Sequence, residues 1–238
     1  VDVEQYLEKR GVSSEAYSSL SDRDWDLLGV PFFSKAFAAW HDSAKSGTNT
    51  PIFDIVVDQY LQRESTKLVD PHIGPLLKPE ELKSLFSEVA EMMHLSGERE
   101  IDQRDLIDCA QQVLLSDALD LSRPGLSKRL PSLCGLDADS DRTKQGKFSF
   151  SHEIMFDCFL SLNLQRKFAS TTDHRRLGSV FEKGKIHPAV FDWLVEREFI
   201  GAQQVLDHFA GLSGKSTSMR TNIGALWGSA LRRNKGRA

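Results

Sequence analysis

Between Glu80 and His94 the apolar residues Leu82, Leu85, Phe86, Val89, Ala90 and Met93 recur at intervals of three and four, the spacing that lines one face of a 3.6-residue helix. The same spacing returns in segment after segment, and it restricts the chain to a mainly α-helical fold. Val3, Tyr6 and Leu7 predict a first helix that Gly11 ends. Trp25, Leu27 and Leu28 predict a short second one that stops at Gly29-Val30-Pro31, because Pro31 biases Val30 away from the α region. Phe32, Phe33, Ala36, Phe37 and Trp40 form the stripe of the next, which fades into the polar run 45–50. Pro51 suits a helix start, with Ile52, Phe53, Val56, Val57, Tyr60 and Leu61 on the inner face. The prolines and glycine of 69–79 predict a loop. Past Ser96-Gly97, Asp102 is placed to cap a helix bearing Leu106, Ile107, Ala110, Val113 and Leu114.

The pattern then changes. Pro124-Gly125 and Pro131 bracket a short helix, 133–136 fits a strand, and 137–146 reads as a polar turn. Phe148 and Phe150 alternate, and Ile154, Met155, Phe159 and Leu162 follow at helical spacing, so the period switches from two to 3.6 at His152. Helix, helix, hairpin, helix is the order of a winged-helix unit. A boundary is expected at 170–173, with helices over 188–199 and 202–210 and a frayed basic tail over 231–237. The expected fold is therefore mainly α: a helical bundle over 1–99, a winged helix with a small β-hairpin over 100–170, and a C-terminal helical segment over 171–238.

The 40% hydrophobic content of the 238 residues supports a real core. With 30 basic and 34 acidic residues the net charge is −4, which gives no global attraction for nucleic acid or an anionic membrane. Cys109, Cys134 and Cys158 lack disulfide-framework or zinc spacing and read as reduced thiols in a cytoplasmic protein. No apolar run reaches the ~20 residues that span a bilayer. The chain opens at Val1 inside an amphipathic pattern, so it is expected to be a piece of something longer.

Two motifs in order resemble a family. Gly29-Val-Pro31-Phe-Phe33, opening an apolar helix, resembles the glycine-x-proline element of the first helical domain in STAND-class NTPases, including NACHT proteins. Phe148-x-Phe150-x-His152-Glu-x-x-Phe156 resembles their winged-helix F-x-H-x-x-F segment, and Pro51-Ile-Phe-Asp-Ile and Lys78-Pro-Glu-Glu-Leu82 look like the helices between. The resemblance covers residues 1–168. It implies that Pro31 contacts the adenine and His152 the β-phosphate of bound ADP, with exchange for ATP releasing a homo-oligomerising surface in defence signalling. The partner would be an NTPase core of the same protein, because neither a GxxxxGK[ST] loop after a strand nor an acidic strand end for magnesium stands in this sequence.

Each residue also has a plainer reading. His152 can be a helix-start residue bonded to the strand before it, and Pro31 a helix-start proline that fixes φ. Gly214-Lys215-Ser216 imitates the end of a phosphate loop, but Phe209 stands where the first glycine should be, so it reads as an interhelical turn. His41, His72, His94, His174, His187 and His208 lack metal-site spacing. Glu98, Glu100, Asp102 and Asp105 form one acidic group, and Asp137, Asp139 and Asp141 a second whose D-x-D-x-D start lacks the glycine and glutamate of a calcium loop. No nucleophile, base and orienting acid assemble, so no catalytic motif is assigned. A second class of function is winged-helix DNA binding through Arg123, Lys128 and Arg129 on a recognition helix and Arg142, Lys144 and Lys147 in the wing, opposed by the wing aspartates. A third is a helical interaction scaffold without a ligand.

Overall fold

The computed structural model describes residues 2–18, 20–43, 51–67, 69–72, 74–116, 130, 136–138, 146–169, 174–197, 207, 209 and 216–236. Among them, eleven helices and five short strands make the chain mainly helical. Two compact units divide it, 1–63 and 64–238.

The first unit holds α1 (Val3–Lys9), α2 (Ser14–Tyr17), α3 (Asp22–Leu28), α4 (Pro31–Ser43) and α5 (Ile52–Ser65) as far as Arg63. The helix α1 ends where Gly11 takes φ +80°, a conformation that costs glycine little and other residues more. Ser21 caps α3, its hydroxyl accepting from Asp24 N while the Asp24 carboxylate accepts from Ser21 N, a reciprocal box that satisfies two otherwise open N–H groups. A Cβ on Gly29 would lie 3.1 Å from the Asp26 carbonyl oxygen, a close approach at the corner between α3 and α4 that a side chain would have to relax by a few tenths of an ångström. The core joins Leu7, Tyr17, Leu27, Leu28, Phe33 and Phe37, all buried. Every residue expected on the inner face of α5 is buried too. The helix α2 was not signalled by any stripe.

In the second unit the expected loop 69–79 contains a small antiparallel hairpin, β1 (Val69–Asp70) with β2 (Gly74–Pro75), turned by Gly74 at φ +86°. Next comes α6 (Pro79–Ser96), with Pro79 in its first turn, where no N–H is needed, and Gly97 left-handed past its end. A three-stranded sheet is split across the sequence: β3 (Ile101–Asp102), then α7 (Gln103–Ser116), then β4 (Leu136–Ala138) and β5 (Lys147–Phe150). The strand order is β3-β5-β4, with Phe148 opposite both Ile101 and Ala138. Asp102 caps α7 as expected, its Oδ1 accepting from Asp105 N at 2.8 Å. Strand β3 had no local signal.

After β5 come α8 (Glu153–Ala169), α9 (His174–Lys183), α10 (Pro188–Glu196) and α11 (Thr217–Gly236). Phe150 of β5 packs on Phe156 and Phe159 of α8 and on Phe86 of α6, with ring centroids 5.7 to 6.2 Å apart. A second aromatic cluster joins Phe168, Phe181, Phe191 and Phe209. The expectation of a frayed basic tail is overturned as far as residue 236. Helix α11 runs through it, because Met219, Asn222, Leu226 and Ala230 are buried at helical spacing and Arg232 donates to the Asp192 carboxylate at 3.0 Å. Most of the expected recognition helix, most of 202–210 and Cys134 lie outside the described residues.

Candidate functional site at the start of α8

The switch of period at His152 is a real corner. Strand β5 ends at Phe150, Ser151 and His152 turn the chain, and α8 begins at Glu153 with Met155 N donating to the His152 carbonyl at 2.9 Å. Phe148 and Phe150 are buried on one face of β5, and the rings of Phe156 and Phe159 continue that face into the helix. The apolar contacts leave His152 exposed at the helix entry. An exposed imidazole there stands in the partial positive field of a 17-residue helix.

Arg99, from the connection between α6 and β3, lies against the first turn of α8. Its guanidinium carbon lies 3.6 Å above the Phe156 ring, with a longer ion pair of 3.9 Å to Glu153. Stacking on an aromatic face orients an arginine without neutralising it. One turn inside the helix, Asp157 is buried, and its Oδ2 lies 3.1 Å from Nδ1 of His187 at the start of α10. Burial pushes the Asp157 carboxyl up to about 6, against the pull of His187 and Arg99 in the other direction. His94, the last basic group of α6, donates from Nε2 to the Val180 carbonyl at 2.8 Å, and its burial lowers its pKa. It is a satisfied polar residue, as its spacing suggested.

Pro31 stands exposed at the first position of α4, where Phe33 N and Ser34 N donate to the Val30 carbonyl. It belongs to the first unit and His152 to the second. Of the other candidates, Glu98 and Glu100 hold Lys147 at 3.2 and 3.4 Å, and Asp137 lies in β4. Asp139, Asp141, Arg123, Lys128, Arg129, Arg142, Lys144, Gly214 and Lys215 lie outside the described residues. Ser216 of the decoy motif caps α11, its hydroxyl accepting from Met219 N at 3.0 Å. Among the described residues no group of three His, Cys, Asp or Glu could hold a metal ion, and no helix is long and apolar enough to cross a membrane. Cys109 and Cys158 are free thiols, both buried, and burial pushes Cys109 up to about 12.

Sequence reasoning missed Arg99, Asp157 and His187 as a group. A signal existed for one of them: Asp157 interrupts the run Met155-Phe156-Asp-Cys-Phe-Leu160, and an acid inside an apolar run marks a buried charge. Its partner thirty residues on carries no such mark. Comparisons of the chain with family models, with curated proteins and with solved structures find no match.

Proposed function

We propose that this chain is the regulatory helical and winged-helix part of a STAND-class, NACHT-like NTPase, one that senses bound ADP or ATP and controls a closed-to-open, oligomerising switch in defence signalling. The observation that carries the reading is the order of elements around His152. Helix α6, strand β3, helix α7 and the hairpin β4–β5 follow one another, β5 lies between β3 and β4, and α8 starts directly after the corner. The strand order β3-β5-β4 supports a winged helix, whose recognition helix would fall between α7 and β4, outside the described residues.

In the resting form His152 bonds the β-phosphate of ADP and Pro31 covers the adenine, both acting on a nucleotide that an NTPase core of the same protein holds. An exposed imidazole at a helix entry suits an anion, since it adds a donor to a field of the right sign. The flat ring of an exposed proline offers an apolar contact with no N–H to satisfy. Exchange for ATP then lets the winged helix leave the core. By itself the chain is expected not to hydrolyse ATP, since no GxxxxGK[ST] loop after a strand stands in its sequence. DNA binding gains nothing from the one wing cation that is described, because Lys147 is engaged by Glu98 and Glu100.

The coding sequence on the N-terminal side of Val1 is the first test. A GxxxxGK[ST] loop after a strand and an acidic strand end there support the switch, and their absence sinks it. In the protein carrying that core, His152→Ala is expected to weaken ADP retention, measured as nucleotide content after purification, and to raise the assembled fraction. Unchanged nucleotide content and assembly remove His152 from the mechanism, and salt-dependent binding to duplex DNA would favour the other class.

A further inference from the structure

Asp157 lies five residues inside α8 from His152, with its side chain nine-tenths buried. Its Oδ2 lies 3.1 Å from Nδ1 of His187, while its Oδ1 is buried with no hydrogen-bond partner. A half-partnered buried carboxylate is expensive to ionise. His187 has the opposite character: its side chain is 60% exposed, at the end of the α9–α10 turn and the start of α10. That turn is otherwise held by Asn222 of α11, which accepts from Ile186 N and donates to the carbonyls of Phe181 and Gly184. Proton exchange between the buried acid and solvent therefore has an exposed imidazole beside it.

We propose that Asp157 and His187 form a proton-operated latch, which holds the α9–α10 turn to α8 while the pair shares a proton and loosens when that proton is lost to solvent through His187. With one shared proton the pair is neutral overall, as acid and imidazole or as carboxylate and imidazolium. Without it, a net negative charge stays buried, one oxygen 3.1 Å from the His187 ring nitrogen and the other with no hydrogen-bond partner. The remaining charges around Asp157 are Arg99, from the α6–β3 connection, which favours the carboxylate, and Glu153 on α8, which opposes it. Burial outweighs both and holds the acid up to about 6, so the pair changes state just below neutral pH. The latch requires no nucleotide, and it stands or falls separately from the switch proposed above.

Hydrogen exchange of the 238-residue chain, corrected for the intrinsic pH dependence of the amide chemistry, reads the latch directly. The amides of Ile186 and Val190, which close the turn and the first turn of α10, are expected to lose about tenfold in protection between pH 5.5 and 7.5, the effect of about one pKa unit of differential interaction. Amides in the middle of α6 should not follow. Asp157→Asn is expected to leave Ile186 and Val190 equally protected at both pH values. His187→Gln is expected to move the transition to higher pH, because the imidazole that eases ionisation is gone. A flat profile in the wild-type chain, or the wild-type profile persisting in Asp157→Asn, overturns the latch. Should Asp157→Asn fail to fold by circular dichroism, an unmoved midpoint in His187→Gln overturns it instead.

Discussion

Two buried carboxylates meet α8, one near each end, and they are partnered in opposite ways. Near its C-terminal end Glu91 of α6 receives two donors on one oxygen, Nδ2 of Asn163 at 2.9 Å and Nζ of Lys167 at 3.0 Å. All three residues are buried. Near the N-terminal end Asp157 has only His187, which is itself largely in water. The first arrangement balances its charge inside the protein with a buried lysine and a buried amide. The second leaves its balance to the solvent. The difference separates a tie that fixes how α6 and α8 pack from a contact that pH can adjust, and it places the adjustable one at the end that carries His152.

Breaking the complete tie should have the largest effect. Lys167→Met leaves Glu91 as a buried anion with one neutral donor, a loss of about 3–5 kcal/mol. Urea unfolding at pH 7 is the measurement. The double variant Glu91→Leu, Lys167→Met should recover most of that loss, since two apolar side chains of similar volume need no partners. A loss under about 1 kcal/mol in Lys167→Met would mean that the lysine reaches solvent and that the two ends of α8 differ less than their distances indicate.

The half-partnered end predicts a pH dependence whose sign can be worked out. Asp157 is raised from 3.8 to about 6 on folding, by burial first. Between those values the native chain binds more protons than the unfolded one, so stability contributed here falls as pH rises, and the full penalty persists above about 6. Asp157→Asn should therefore add about 3 kcal/mol at pH 7.5 and almost nothing at pH 4. His94 works against it. Its pKa is lowered on folding, chiefly by burial, so the unfolded chain binds more protons below 6.5 and stability contributed at His94 falls as pH falls. In the wild-type chain the two partly cancel, so a shallow profile is expected. Thermal melts between pH 4.5 and 7.5 should show Asp157→Asn losing stability toward acid more steeply than the wild type. Parallel profiles would remove Asp157 from the pH response.

What the sequence could reveal follows from the distance over which each feature is determined. Helix α6 was legible over 80–94, because its apolar stripe lies within it and Ser96-Gly97 follows it directly; Pro79, read as the end of the loop, opens it. The β5-to-α8 corner was legible for the same reason, since both periods and His152 are contiguous. Strand β3 was not, because two residues become a strand only by pairing with Lys147 and Phe148 across a long separation. Helix α9 carries Leu177, Val180 and Phe181 at helical spacing, all buried, but so short a stripe in a charged segment passed unread. The tail looked frayed because its charges and glycines favour that locally, whereas the buried face of α11 and the Asp192 contact decide it. At the candidate site His152 was visible and its surroundings were not, for Arg99 and His187 reach the start of α8 from other elements.

The smallest expected effect gives the sharpest control on the contrast within α8. Arg166 is the neighbour of Lys167 in sequence, and it too bridges α8 to α6, with Nη2 at 2.9 Å from Oε1 of Glu88. Its side chain is 44% exposed and that of Glu88 31%, against 5% and 8% for Lys167 and Glu91. The two ion pairs thus join the same helices, with the same charges and nearly the same distance, and differ in exposure, in the cation and in the Asn163 donor that Glu91 also receives. Water screens the outer pair and ordering the two long side chains opposes it, so Arg166→Ala should cost about 0.5 kcal/mol or less, and 1 M salt should erase even that. Salt should leave the loss in Lys167→Met nearly intact, because the inner pair is shielded from mobile ions. If Arg166→Ala cost as much as Lys167→Met, burial would not be what distinguishes them, and the contrast between the two ends of α8 would have to rest on geometry instead.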